Sequence, residues 1–206
     1  MQNITFFFFP LFTCLFISTQ ISTSPFNDPF NNPYNNQQQS TRITSGNGTL
    51  YVDESNALKD LHFNGVATLK NSNIEKNVHV NGYLRADNST IRSLSVNGKA
   101  TISNCIIQKE TQVNGSFWAE ASTFHDLVSI SSEKVTFIEC TIAAIEMREI
   151  GKKWVFWGST TQIVKLKHGS KIQGTIFFEQ GDGEVWLYDP NCTCGNVIGG
   201  KIIRKY

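Results

Sequence analysis

A short motif ending in Asn-Gly recurs along the middle of the chain at intervals of 16 or 17 residues. Its four copies are Phe63-Asn64-Gly65, Val80-Asn81-Gly82, Val96-Asn97-Gly98 and Val113-Asn114-Gly115. A second motif, a small residue followed two positions later by Ile or Phe, runs in phase with it at Ser72, Ser89, Cys105, Ser122 and Cys140. A repeat of this length cannot bury its apolar face alone, so the repeats must stack on one another.

Each repeat contains three short segments in which inward and outward positions alternate. In one repeat the inward pairs are Val78/Val80, Leu84/Ala86 and Ser89/Ile91, and the same frame extends from Leu61 to Met147. Of the 32 inward positions in this frame, 28 are apolar and none is charged. Alternation with a period of two is typical of a strand with one buried face. Three such segments predict an all-β fold, a single-stranded, three-sided parallel β-helix (β-solenoid) with about 17 residues per coil.

The Asn-Gly pairs are predicted to form one corner of each coil. Glycine adopts the positive φ angle that a tight corner needs, and asparagine tolerates it better than most residues. Stacked asparagine amides are expected to form a hydrogen-bonded ladder along this corner. The corner residues are Asn64, Gly65, Asn81, Gly82, Asn97, Gly98, Asn114 and Gly115. In the next coil Ser131–Lys134 replaces the pair, which predicts a longer, bulged corner.

Composition divides the chain into four segments. Residues Ile4–Ile17 are almost entirely apolar, a length that suits a signal-peptide core better than a membrane span. An uncleaved membrane anchor and a buried segment are the alternatives, because the first basic residue is Arg42 and the cleavage site is poor. We therefore expect an exported protein (periplasmic, cell-surface or secreted) or one anchored to a membrane. The predicted segments are a signal peptide or anchor (1–24), a disordered Asn/Gln/Pro-rich linker (25–48), the regular β-solenoid (49–148), and irregular terminal coils with a cap (149–206).

The C-terminal segment keeps only part of the repeat. The alternation continues at Thr161/Ile163 and Val185/Leu187, and Gly169 and Gly174 are candidate corners. Atypical terminal repeats usually cap a solenoid. The aromatic residues concentrated there, which we expect to contribute to that cap, are Trp154, Phe156, Trp157, Phe177, Phe178, Trp186 and Tyr188.

Cysteine and histidine residues of the chain favour structural roles. Cys105 and Cys140 share one inward column but lie two coils apart, about 9.6 Å at the usual strand spacing. A disulfide needs Cα atoms within roughly 7 Å, so none is expected between them. For the pair Cys192 and Cys194, a strained bond, metal binding and simple packing remain open. His62 and a histidine 17 residues later, His79, are expected to stack on an outer face, as a surface ladder or around a shared metal.

The sequence carries no recognisable catalytic motif. Polysaccharide-cleaving β-helices need convergent carboxylates, but Glu110, Asp126 and Glu139 are expected on different corners. Gly-rich phosphate loops, nucleophile elbows and paired zinc motifs are missing from the sequence. We therefore expect no catalytic, cofactor-binding or metal-binding residues and no enzymatic activity. A formal charge of +1 also disfavours binding to nucleic acid.

The repeats from Leu61 to Met147, with Val-Asn-Gly corners and Ser/Cys-x-Ile sides, resemble the bactofilin-type polymer-forming proteins. That resemblance implies a short-coil, three-sided parallel β-helix with flexible tails, often a membrane-associating N-terminus, and no cofactor. The exported-looking N-terminus and the aromatic, Cys-bearing C-terminal segment are not part of that pattern.

Three functions follow from these observations. The first is a structural β-solenoid that forms a homo-polymer through the unpaired strands at its coil ends and associates with a membrane or the cell envelope. The second is a cell-surface binding or adhesion module whose outer faces, including Trp118, recognise glycan or a partner protein. The third is a hexapeptide acyltransferase-like enzyme, which the coil length permits, although the regular six-residue aliphatic spacing is missing.

Overall fold

Parallel β-strands stack into a solenoid throughout the part of the chain that the structure describes. The computed structural model describes residues 42–53, 56–150 and 161–206. Within these ranges the regular structure is entirely β-strand, and the strands stack at a spacing of about 17 residues to give about 9 turns. The predicted β-solenoid fold is therefore confirmed. These ranges hold no helix that could span a membrane, and the predicted signal or anchor segment (1–24) lies outside them.

Sixteen strands occur in the described ranges. They are β1 (Arg42–Asp53), β2 (Asn56–Lys70), β3 (Asn73–Asp87), β4 (Thr90–Ser103), β5 (Ile106–Ile107), β6 (Thr111–Glu120), β7 (Thr123–Ser131), β8 (Lys134–Ile138), β9 (Thr141–Met147), β10 (Ile163–Lys167), β11 (Lys171–Ile172), β12 (Ile176–Phe178), β13 (Gly183–Leu187), β14 (Thr193–Cys194), β15 (Val197–Ile198) and β16 (Gly200–Arg204).

Three faces follow one another around each coil. In the coil of β3 and the start of β4, face A carries Val78/Val80, face B carries Leu84/Ala86 and face C carries Ser89/Ile91. We call the corner between faces A and B the Gly corner and the corner between faces B and C the Asn corner. The third corner returns the chain from face C to face A.

Residues one coil apart lie in register, so the coils form straight columns. One inward column along face B joins the first strand to the last. Its nine members are Leu50, Ala67, Leu84, Ala100, Phe117, Val135, Val164, Val185 and Ile202.

The interior of the solenoid is built from the predicted inward residues. All 32 positions of the frame between Leu61 and Met147 are buried. Three of them, Phe117, Phe124 and Phe137, pack edge to face, with ring centroids 5.6 to 6.1 Å apart. Full burial of an aliphatic or aromatic side chain contributes about 1.5–3 kcal/mol, so the stacked columns supply most of the driving force for folding.

The first coil begins earlier than the sequence analysis predicts. The predicted linker extends to residue 48, but β1 begins at Arg42 and pairs with β2 along its length. Gly46-Asn47-Gly48 pairs with Phe63-Asn64-Gly65 and is therefore a fifth copy of the corner motif. The prediction for residues 42–48 is wrong because backbone pairing with β2 orders a segment whose own apolar pattern is weak.

The regular repeat is interrupted after Met147 and resumes at β10. Strand β9 stacks on β7 along faces C and A, and β10 stacks on β8 along face B. The inward residues after it are Gln162, Val164 and Leu166, whereas the predicted pair Thr161/Ile163 is half-buried. That prediction is wrong by one residue because pairing with β8, and not the local alternation, sets the frame. Trp154, Phe156 and Trp157 lie outside the described residues.

The C-terminal residues continue the same stack with coils of unequal length. Val164 pairs with Val185 and Val185 with Ile202, spacings of 185−164=21 and 202−185=17 residues. Val185 and Leu187 are buried, as predicted. Within the described ranges β16 pairs only with β13, and β1 only with β2. Each end of the described stack therefore presents a strand with one unpaired edge, and the described residues after β10 form coils.

Candidate functional site

The predicted corner glycines lie above one another along one edge of the solenoid. Gly65, Gly82, Gly98 and Gly115 have φ angles of 126, 134, 133 and 130°. A Cβ atom at Gly82 would lie only 2.2 Å from the carbonyl oxygen of Gly65 in the coil before it. Only glycine therefore allows successive coils to approach this closely.

The predicted asparagine ladder runs beside these glycines. Each Nδ2 donates to the Oδ1 of the asparagine one coil earlier, at 2.6 to 2.9 Å, joining Asn47, Asn64, Asn81, Asn97 and Asn114. The last acceptor, Oδ1 of Asn114, receives a hydrogen bond from the Arg148 guanidinium at 2.7 Å. The inner amides are thus engaged with one another, and the ladder serves to hold the coils in register.

The Asn corner, which the sequence analysis missed, also has positive φ angles. Its residues are not glycines and have φ between 46 and 55°: Asn71, Asn88, Asn104, Ala121, Glu139 and His168. Asn88 donates to Asn71 at 2.6 Å, and Asn71 donates to Asp53 at 3.0 Å. Asparagine adopts this left-handed conformation more readily than most residues. The sequence does carry a pattern that marks this corner: Asn71, Asn88 and Asn104 recur at spacings of 17 and 16 residues.

The inward column of Ser72, Ser89, Cys105, Ser122 and Cys140 follows the Asn corner directly, and all five residues are buried. The Ser89 hydroxyl donates to the carbonyl of Asp87 at 2.8 Å and accepts from the backbone N–H of Ser72 at 3.1 Å. Ser122 makes the same pair of bonds with Glu120 and Cys105. Buried backbone groups at a corner need such partners, so these contacts give the column a structural role.

Cys105 and Cys140 are free thiols within this column. Their Sγ atoms donate to the carbonyls of Ser103 at 3.0 Å and Ile138 at 3.2 Å. Burial raises the pKa of each thiol from its ordinary value of about 9 to about 11, against a smaller opposite effect of nearby backbone hydrogen bonds. Both thiols therefore stay protonated, and unreactive, at neutral pH.

We expect a thiol reagent at neutral pH to modify half-buried Cys194 well before Cys105 and Cys140, measured by mass spectrometry of the labelled peptides. Because their folded pKa of about 11 lies above the ordinary value of about 9, the two buried thiols favour the folded state fully below pH 9. That contribution is lost as the pH rises towards 11. Equal rates of labelling at Cys105 and Cys194 in the native protein at neutral pH would contradict the predicted order of modification.

The stacked histidines and the C-terminal cysteines are not organised around a metal. His62 and His79 lie on face A with ring centroids 5.9 Å apart and planes tilted by 37°. In the described ranges no group of three or more His, Cys, Asp or Glu residues is arranged to hold a metal ion. Cys192 and Cys194 are free thiols, and Cys192 donates to Asp189 at 3.1 Å.

Two of the three candidate carboxylates share a corner, contrary to the prediction. Their neighbours pair Ile107 with Phe124 and Thr111 with Val128, so Glu110 and Asp126 occupy the third corner of successive coils. Glu139 lies at the Asn corner instead. The third corner varies in length from coil to coil, which is why the spacing alone hid this alignment.

Three lysines and two aromatic rings meet on face B in the last coils; we call them the lysine–aromatic cluster. The Lys165 ammonium lies 5.1 Å from the ring centroid of Trp186 and 5.8 Å from that of Tyr188. Lys167 lies 4.9 Å from Tyr188, and Lys205 lies 4.3 Å from Trp186. The sequence analysis assigned these aromatic residues to a cap, but they point outward from face B, because Trp186 pairs with Lys165 between the inward positions.

The lysines of this cluster form no ion pair with any described carboxylate. The nearby Glu184 instead accepts a hydrogen bond from Trp186 Nε1 at 2.7 Å and pairs with Lys201 at 3.1 Å. These two contacts, led by the Trp186 hydrogen bond, lower the pKa of Glu184, and the charges of Lys201 and Lys205 lower it further. Lys165 and Lys167 therefore remain as cations whose near neighbours are rings, whereas Lys205 lies both against Trp186 and near Glu184.

An open recess of ≈ 530 Å³ adjoins the cluster. It is lined by Lys167, His168, Gly169, Tyr188, Asp189 and Asn191. The Asp189 carboxylate accepts hydrogen bonds from the Cys192 thiol and from the backbone N–H groups of Gly169 and Asn191, and these contacts lower its pKa. Asp189 is thus engaged in shaping the turn.

Stacked coils, in-register columns and repeated corners define this chain as a β-solenoid repeat protein. A comparison with protein-family models, curated proteins and solved structures finds no match. The resemblance to bactofilin-type proteins accordingly stays a prediction, and the β-solenoid class rests on the coordinates.

Proposed function

We propose that this protein is a non-enzymatic structural β-solenoid, exported or held at a membrane by its N-terminal segment, that assembles end to end with copies of itself. The observation that carries the proposal is the pair of unpaired strand edges, on β1 and on β16, at the two ends of the described stack. An unpaired strand edge is a template for pairing with another chain.

The columns of face B indicate how one copy would follow another. If β1 of a second copy added to β16 in the register of the existing coils, Leu50 would cover Ile202, which is 42% exposed in the single chain. Tyr51, 57% exposed, would meet Ile203. The contact would thus continue the apolar column that already joins these two strands.

One residue at the C-terminal edge opposes this contact. Arg204 pairs with Leu187 and therefore occupies an inward column, where the first coil carries Val52. An inward-pointing charge on an edge strand is a device that weakens edge-to-edge pairing. We therefore expect the assembly to be concentration-dependent rather than irreversible.

The proposal predicts opposite effects for two substitutions in β16. Ile202→Asp is expected to reduce the protein to monomers, because it places a charge in the apolar column that would join the two copies. Arg204→Leu is expected to lengthen the assemblies, because it removes the charge from the neighbouring inward column. Analytical ultracentrifugation across a concentration series, with electron microscopy of the largest species, measures both effects.

A matched control separates end-to-end assembly from general loss of exposed apolar surface. Ile106 lies on the outside of face C in mid-stack and is 45% exposed, much like Ile202. Ile106→Asp is expected to leave the size distribution unchanged. A protein that stays monomeric at every concentration, in the wild type and in Arg204→Leu alike, would refute assembly.

A second candidate function is recognition of glycan or a partner protein by an outer face. It is supported by the lysine–aromatic cluster, since aromatic rings with a polar environment are common at binding surfaces. This function does not depend on assembly through the coil ends.

A further inference from the structure

We propose that the lysine–aromatic cluster on face B, together with the recess beside it, binds an acidic polysaccharide. This inference rests on the second candidate function and names its ligand class, a sugar chain carrying carboxylate or sulfate groups. It is independent of end-to-end assembly.

The charge of the cluster selects for an anion. Lys165, Lys167 and Lys205 form no ion pair with a carboxylate of the described residues; Glu184, on whose pKa the charge of Lys205 acts, is paired with Lys201. The net charge of the whole chain is only +1, so this concentration of unpaired cations is a local feature. Charge-assisted hydrogen bonds from ammonium groups to carboxylate or sulfate oxygens are among the stronger polar contacts.

The rings hold the lysines in position before any ligand arrives. Lys165 and Lys205 approach Trp186 at 5.1 and 4.3 Å, and Lys167 approaches Tyr188 at 4.9 Å. A free lysine side chain loses about 1.5–2 kcal/mol of rotamer entropy when it is fixed. Because the cation–π contacts already restrict these side chains, less of that cost remains to be met on binding.

The shape of the site favours a polymer over a small anion. Lys165 and Lys167 alternate along β10, and Lys205 follows β16 two coils later, with the rings of the β13 coil between them. Strands two coils apart lie about 9.6 Å apart and alternate residues about 7 Å apart, so the three cations are spread over more surface than one small anion covers. A chain with repeated negative groups contacts several lysines at once and gains from multivalency.

The rings and the recess favour sugar as the backbone of that polymer. Trp186 and Tyr188 are half-buried, with an apolar body held rigidly between the cations. The adjoining recess offers hydrogen-bonding groups of His168 and Asn191 next to Lys167 and Tyr188. Its volume of ≈ 530 Å³ falls within the usual range for ligand sites.

Binding is tested with the purified full-length protein against three polymers: polygalacturonate, which is carboxylated, dextran, which is neutral, and single-stranded DNA. We expect saturable binding to polygalacturonate that weakens as salt is added, and little binding to dextran. The double variant Lys165→Gln/Lys167→Gln is expected to lose about tenfold or more in affinity.

The matched control removes the same charge from the same face. Lys70 and Lys99, the latter 5.2 Å from the ring of Tyr83, are both exposed and lie three or more coils before β10. Lys70→Gln/Lys99→Gln is expected to change the affinity by less than about twofold. Circular dichroism and the unfolding midpoint verify that both double variants remain folded.

Four results would overturn the inference: no binding to polygalacturonate at low salt, equal binding to dextran, tighter binding to DNA, or equal losses in the two double variants. Equal binding to dextran would still support a glycan-binding function, so the failure of this inference is distinguishable from the failure of the broader proposal.

Discussion

Gly82→Ala is expected to lower the free energy of unfolding by about 3–5 kcal/mol, or to prevent folding altogether. The φ angle at this position is 134°, which side chains other than glycine rarely adopt. The added Cβ would also lie 2.2 Å from the carbonyl oxygen of Gly65, a backbone atom that is fixed by the coil before it. The loss is measured by urea unfolding monitored by circular dichroism.

Gly48→Ala is the matched control for this effect. Gly48 belongs to the same corner column and has a φ of 102°, but it lies in the first described coil and a Cβ there meets nothing within 4 Å. Gly48→Ala therefore carries only the cost of placing alanine at a positive φ angle, about 1–2 kcal/mol. Similar losses for Gly48→Ala and Gly82→Ala would show that close stacking at the corner is not what requires glycine.

Phe137→Ala is expected to lower the free energy of unfolding by about 3–5 kcal/mol. Phe137 is 0% exposed, and its ring lies 5.6 Å from that of Phe117 and 6.1 Å from that of Phe124, both nearly perpendicular to it. Truncation leaves a cavity that the stacked strands cannot close, because every neighbouring coil is held in register by backbone hydrogen bonds. The loss in the free energy of unfolding is measured by the same urea titration.

Phe177→Ala provides the comparison for the core substitution. Phe177 is the outward neighbour of buried Phe178 and is 40% exposed. Its removal is expected to change the free energy of unfolding by no more than about 0.5 kcal/mol. A loss at Phe177 as large as that at Phe137 would contradict the assignment of inward and outward positions in the terminal coils.

The parts of the fold that were predictable are those in which each residue's role depends on its near neighbours. The alternation in segments such as Val78/Val80 identifies the buried face locally, and the Asn-Gly pairs mark a corner because of their own backbone preferences. The hydrogen-bonding role of Ser89 was not predictable, because it requires knowledge that a second positive-φ corner precedes it.

The candidate binding site was less accessible to prediction. Trp186 and Tyr188 were visible as an aromatic concentration, but nothing in the sequence placed Lys165, Lys167 and Lys205 beside them. These residues are separated by unequal distances along the chain, since the coils differ in length here. Whether these lysines and aromatic residues contact one another depends on the number of residues in each corner between them.

The repeat pattern is enough to predict the β-solenoid class, the coil length of about 17 residues and the inward columns from Leu61 to Met147. The start of the first coil, the frame in which the chain continues after Met147 and the side chains that meet on face B became known from the stacked strands. The difference arises because alternation is a property of neighbouring residues. Register between coils is set instead by backbone hydrogen bonds across corners of variable length, and these form only when the coils stack.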